Sequence, residues 1–130
     1  IGLAGYNNFN RQRMVRETAL ELINNLRYAQ NKALSGEKPS SGCTVLDGYR
    51  VSFSSGKYEI QAKCSPEGLA GEKKEFILKS VDFVVLPSNL IFKVLAQGVE
   101  GEGEIRLSGF EKNYQIKVSK SGEISDEGFQ

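Results

Sequence analysis

The side chains able to do chemistry in this chain of 130 residues are unevenly supplied. Serine hydroxyls are plentiful, but histidine, the group that most often moves protons near neutral pH, is absent from the sequence. Ser119-Lys120-Ser121 sets an amine between two hydroxyls, the composition of a serine–lysine nucleophile, yet adjacency supplies no geometry. Glu100, Glu102 and Glu104, separated by Gly101 and Gly103, offer several oxygens to a hard cation. The EF-hand spacing is missing and no aspartates join them, so the expectation is a solvated turn rather than a metal site. Cys43 and Cys64 are the only cysteines, too few for a zinc site of Cys and His ligands. An even pair in a small, strand-rich chain would bond in an oxidising compartment and stay as two buried thiols in a reducing one. The sequence directs the search away from catalysis, cofactors and metals.

Charge narrows the partners. Seventeen basic against sixteen acidic residues leave a net charge of +1, without the basic excess usual in nucleic-acid binders. Basic side chains do gather early, at Arg11, Arg13, Arg16, Arg27 and Lys32, with Tyr6, Phe9 and Tyr28 available to stack on bases. Arginines on a solvated helix face need no ligand, and nucleic acid is not the expected partner.

These residues must be held by elements, and the periodicity predicts two kinds. Val15, Ala19, Leu22, Leu26, Ala29 and Ala33 recur at steps of three and four, so one helix face is apolar and is expected to pack on the rest of the domain. Ile23 and Leu34 widen that stripe. The helix is predicted from about Asn8 to Ser35, within an N-terminal segment 1–35. Asn8 or Asn10 would serve as N-cap, and Gly36 and Pro39 mark the exit.

After Gly36 the texture becomes β-branched, aromatic and punctuated by turns. Strands are predicted at Cys43–Leu46 and Tyr49–Ser54, joined by an Asp47-Gly48 hairpin, then at Lys57–Lys63 after Ser55-Gly56. Tyr58, Ile60 and Ala62 alternate with charged and polar neighbours, the pattern of a half-buried strand. Ser65–Glu72 is read as a loop and Glu75–Lys79 as an edge strand. Val81–Leu86 and Leu90–Ala96 are read as central strands separated by a Pro87-Ser88-Asn89 turn. Gly98–Gly103 is read as another loop. Glu104–Leu107, Asn113–Val118 and Glu123–Ser125 follow, linked by Ser108-Gly109 and Ser121-Gly122. One domain, 1–130, is expected. It is α+β, a long N-terminal helix packed against antiparallel β-sheets of roughly eight short strands in a β region spanning 43–125.

The residues Tyr6-Asn7-Asn8-Phe9-Asn10-Arg11-Gln12-Arg13 and Glu17 to Ala33 resemble the region just after the hydrophobic segment of type IV prepilins. Within that superfamily, Leu26, Arg27, Ala29 and Ala33 match a Leu-Arg-x-Ala-x-x-x-Ala phrase of the GspH/FimT group of minor pilins and pseudopilins. Tyr114-Gln115-Ile116-Lys117-Val118 with Ser121-Gly122-Glu123-Ile124 is similar to that group's closing strands and turn. The resemblance implies a pilin-like fold whose sheets pack on the second half of the helix. It implies a structural subunit, anchored in the inner membrane with a periplasmic or extracellular filament domain, whose partners are other pilin or pseudopilin subunits of a pilus or a type II secretion system. Disulfides are common in such domains, which favours pairing of Cys43 with Cys64; the chain-entropy argument assigns about 3 kcal/mol to a closed loop of that size.

The apolar, uncharged lead-in Ile1–Phe9, followed by arginines, is read either as the end of a hydrophobic helix leaving a membrane or as a non-native remnant. Cut from that helix, the fragment is expected to be monomeric. Alternatives are a DNA-binding competence pilin, disfavoured by the acidic tail Ser125–Gln130, a secreted adhesin or ligand-binding module, and a small enzyme.

Overall fold

The computed structural model describes residues 3–87 and 89–130, with side chains from residue 9 onward apart from residue 96. Helix α1 runs without interruption over Leu3–Ser35, about 50 Å at 1.5 Å per residue. It begins earlier than predicted, so Asn8 and Asn10 are helical interior and cap nothing. The exit is as expected. Gly36 takes φ +65°, its N–H donates to the Ala33 carbonyl, and the Glu37 N–H reaches back to Lys32, the paired bonds of a Schellman ending.

Among the described residues, nine strands follow in two antiparallel sheets. The first sheet has the order β3-β2-β1-β5-β6, built from β1 (Val45–Ser54), β2 (Lys57–Ser65), β3 (Gly68–Ile77), β5 (Leu90–Lys93) and β6 (Val99–Glu100). The second has the order β4-β7-β8-β9, built from β4 (Asp82–Val85), β7 (Gly103–Gly109), β8 (Lys112–Val118) and β9 (Ile124–Phe129). The chain enters the first sheet, leaves it for β4, returns for β5 and β6, and ends in the second. Asp82 joins the sheets by accepting the Gly56 N–H at 2.8 Å, and the Val99 N–H donates to the Lys120 carbonyl at 2.8 Å. Phe53 and Tyr58 meet Phe83 of β4 edge-on, with centroids 5.4 and 6.4 Å away. Helix α1 packs against β1 and β5 of one sheet and β7, β8 and β9 of the other, over one continuous core.

Several turn signals resolve differently from their sequence reading. Asp47-Gly48 is no hairpin: both residues lie in β1, where they oppose the single Lys63 as a β-bulge. The extra residue lets Leu46 and Tyr49, three positions apart, both face the core. Gly48 is there for space, since a Cβ would collide with the Phe92 carbonyl oxygen on β5. Ser108-Gly109 likewise belongs to β7, and the turn falls on Phe110 and Glu111, at φ +52° and +65°. Gly109 lets the Ser80 carbonyl oxygen come within 2.8 Å of where a Cβ would sit.

Ser65–Glu72 is not a loop. β2 runs to Ser65, and β3 starts at Gly68 and forms the sheet edge. Val81–Leu86 yields β4, an exposed edge strand rather than a central one, and Leu90–Ala96 yields a strand only to Lys93 before a 3-10 turn at Val94–Ala96. Gly98–Gly103 contains β6, and the acidic tail is the strand β9. The expected turn at Pro87-Ser88-Asn89 centres on Ser88, outside the described residues.

Candidate interaction sites on the helix and beside the disulfide

Along α1 the residues Val15, Ala19, Leu22, Leu26, Ala29 and Ala33 are all buried, as is Ile23. Small alanines at 19, 29 and 33 share this buried face with the larger Leu22 and Leu26. Two polar bonds fix the helix to each sheet separately. Asn25 donates to the Tyr58 hydroxyl at 2.7 Å in the first sheet. Gln30 donates to the Gly122 carbonyl in the β8–β9 turn, where φ is +99° and a side chain would crowd the Gln30 amide.

The leading part of α1 is different. Phe9 is 61% exposed, and Met14 is exposed too. Arg11 stacks over the Phe110 ring and Arg16 over Phe129, at 5.6 and 5.9 Å from the centroids, and Arg13 pairs with Glu17 at 2.9 Å. Three of the four arginines that sequence alone offered to phosphates therefore engage the chain's own rings and carboxylate. The Ile1–Phe9 lead-in falls mostly outside the described side chains, as does Tyr6. Among the described residues no helix is long and apolar enough to cross a membrane.

Cys43 and Cys64 form a disulfide across a sequence separation of 21, with Cα atoms 5.4 Å apart. It ties the segment after the helix to β2. The same segment is held by the Glu67 carboxylate, which accepts both the N–H and the hydroxyl of Thr44, and by the Tyr49 hydroxyl, which donates to the Glu37 carbonyl at 2.6 Å. Lys38 donates to the Thr44 carbonyl, and Pro39 lies against Gly71 so closely that a Cβ there would meet it at 2.6 Å.

These ties leave a cleft of about 270 Å³ between the end of α1, this segment and the edge strand β3. The Lys74 ammonium lies 4.3 Å from the Tyr28 ring centroid and that of Lys32 5.3 Å from it. Burial works to raise the Tyr28 phenol, but Lys74 and Lys32 outweigh it and hold it below its ordinary value. Contact with Tyr28 raises Lys32 in return, with Glu37 at 3.5 Å adding to it. Burial lifts Tyr49, beside Lys32, above the usual phenol range. Sequence reasoning found only Tyr28 and Lys32 of this group. Tyr49 and Lys74 come from strands far along the chain, and no spacing announces that register brings them together.

Of the remaining candidates, Ser119, Ser121 and Glu104 have structural partners. The Ser119 hydroxyl contacts Ser121 at 2.9 Å and accepts the Glu123 N–H, closing the β8–β9 turn. Glu104 and Glu127 both face Lys117, at 3.9 and 3.7 Å. Among the described residues no group of three or more carboxylates or thiols is placed to hold a metal ion. Comparison with protein-family models, with curated proteins and with solved structures gives no match for this chain.

Proposed function

We propose that the chain is the globular domain of a GspH/FimT-like minor pilin or pseudopilin, a filament subunit of a type IV pilus or type II secretion system. The observation that carries this reading is the division of α1. From Val15 to Ala33 one face of the helix is buried against two sheets, while among the described side chains ahead of Val15 none is buried and Phe9 and Met14 are exposed. A helix used this way can belong to two assemblies at once, its own domain and a bundle of neighbouring helices. The stretches that carry the family resemblance also meet in space, since Gln30, within the helix phrase, is bonded to Gly122 of the closing turn. In this reading a hydrophobic continuation ahead of Ile1 anchors the subunit in the inner membrane, and the sheets lie in the periplasm or on the filament surface.

The test is the coding sequence upstream. A short basic leader followed by roughly 20 apolar residues is expected. A gene that starts near Ile1 with nothing hydrophobic ahead would remove the reading. The 130-residue chain, lacking that association surface, should sediment as a monomer.

A further inference from the structure

The cleft beside the disulfide gathers two cations on one phenol. The Lys32 and Lys74 ammoniums lie 5.3 and 4.3 Å from the centroid of the Tyr28 ring. Lys32 has Glu37 at 3.5 Å, whereas Lys74 has no carboxylate within ion-pair distance among the described residues. Its neighbours on β3 fare otherwise: Lys73 pairs with Glu59, and Glu75 with Lys57. Among the described residues, the other titratable groups lining the cleft are Lys38, Glu37, Glu72 and Tyr49. An anion seated between Lys32 and Lys74 would neutralise both and accept a bond from the Tyr28 hydroxyl.

We propose that this cleft binds a small tetrahedral anion, the phosphate or sulfate group of a sugar ester, between Lys32, Lys74 and Tyr28. Lysines act as point charges, which suits a tetrahedral anion approached from several directions; a planar carboxylate would be better met by an arginine fork. Beyond the ammoniums the cleft has room for a ring. Glu37, Glu72 and Ser40 line it as acceptors for hydroxyls, above a floor that includes Ile60 and Ala62. Its wall is preset by the disulfide, the Pro39–Gly71 contact and the Tyr49–Glu37 bond, so little ordering remains to be done on binding. The inference is independent of the filament reading, and either can fail alone.

The test is an NMR titration of the intact chain with glucose 6-phosphate, inorganic phosphate, glucose and acetate at matched ionic strength. Saturable shifts confined to Tyr28, Lys32, Gly71 and Lys74 are expected with both phosphates, more tightly with the ester. Lys74→Ala should weaken binding by about tenfold or more, the scale of one lost charge-assisted bond, and Lys32→Gln similarly. Lys120→Ala, on a distant turn, should change nothing. The Tyr28 phenol, followed by its ultraviolet absorbance against Tyr28→Phe, should ionise at higher pH when phosphate is bound. Shifts spread over all lysines, no saturation, or indifference to Lys74→Ala would overturn the site. Equal affinity for acetate would overturn the tetrahedral anion, and equal affinity for inorganic phosphate the sugar.

Discussion

Tyr58 and Tyr114 report how strongly this core resists charge. Burial, ahead of every other influence, pushes both phenols up to about 12 from an ordinary 10.0. For Tyr58 the bond received from Asn25 offsets a little of that rise, and for Tyr114 the bond donated to Asp126 adds to it. A phenol whose folded pKa is raised stays neutral in the fold while the unfolded chain ionises. The stability it contributes is intact below pH 10, its unfolded value, and is lost as pH climbs through the folded value near 12. The urea midpoint should therefore fall steeply over that window. In a Tyr58→Phe, Tyr114→Phe double variant the alkaline slope should flatten, even though the loss of two hydrogen bonds lowers the midpoint at neutral pH. An unchanged slope would place the alkaline sensitivity in other groups.

At the scale of elements, what was legible follows from what periodicity can carry. The helix and the alternation of β2 were plain because each residue votes for the same face: Tyr58, Ile60, Ala62 and Cys64 are all buried. Glycine signals were misread because glycine answers two needs that look alike in sequence. At Gly36 it supplies a left-handed backbone, whereas at Gly48 and Gly109 it makes room for a neighbouring chain that is distant in sequence. The real β7–β8 turn uses Phe110 and Glu111 in that left-handed region, where no residue preference would have placed it. The cleft was invisible for the same reason, since Lys74 reaches Tyr28 only through the pairing of β3 with β2.

A pair of substitutions separates the two glycine roles. Gly48→Ala should destabilise by about 2–3 kcal/mol, the upper part of the range for overpacking, because the obstacle is backbone and cannot turn aside. Glu111→Gly should stabilise by about 0.5–1 kcal/mol, relieving a left-handed residue but adding freedom to the unfolded chain. Chemical denaturation measures both, and matching signs would refute the distinction.

At the scale of the whole molecule, the two sheets depend on one helix. Each is small, with four or five strands and exposed edges, and they are joined directly by the Asp82 carboxylate on the Gly56 N–H, the Val99–Lys120 backbone bond and the Phe83 ring. The helix supplies the rest, presenting one apolar face to β1 and β5 and to β7, β8 and β9. Asn25 holds it to the first sheet and Gln30 to the second. Leu26, fully buried in the common core, lies on α1 between those two anchors. Leu26→Ala should cost about 2–5 kcal/mol, a large fraction of the roughly 5–15 kcal/mol that holds a domain folded. The loss should reach both sheets together, with amide exchange in β2 and β8 accelerating in parallel. Acceleration in one sheet alone would mean that the sheets unfold as separate units, and that the helix belongs to only one of them. Parallel loosening would instead mean that α1 is a single support on which both sheets depend.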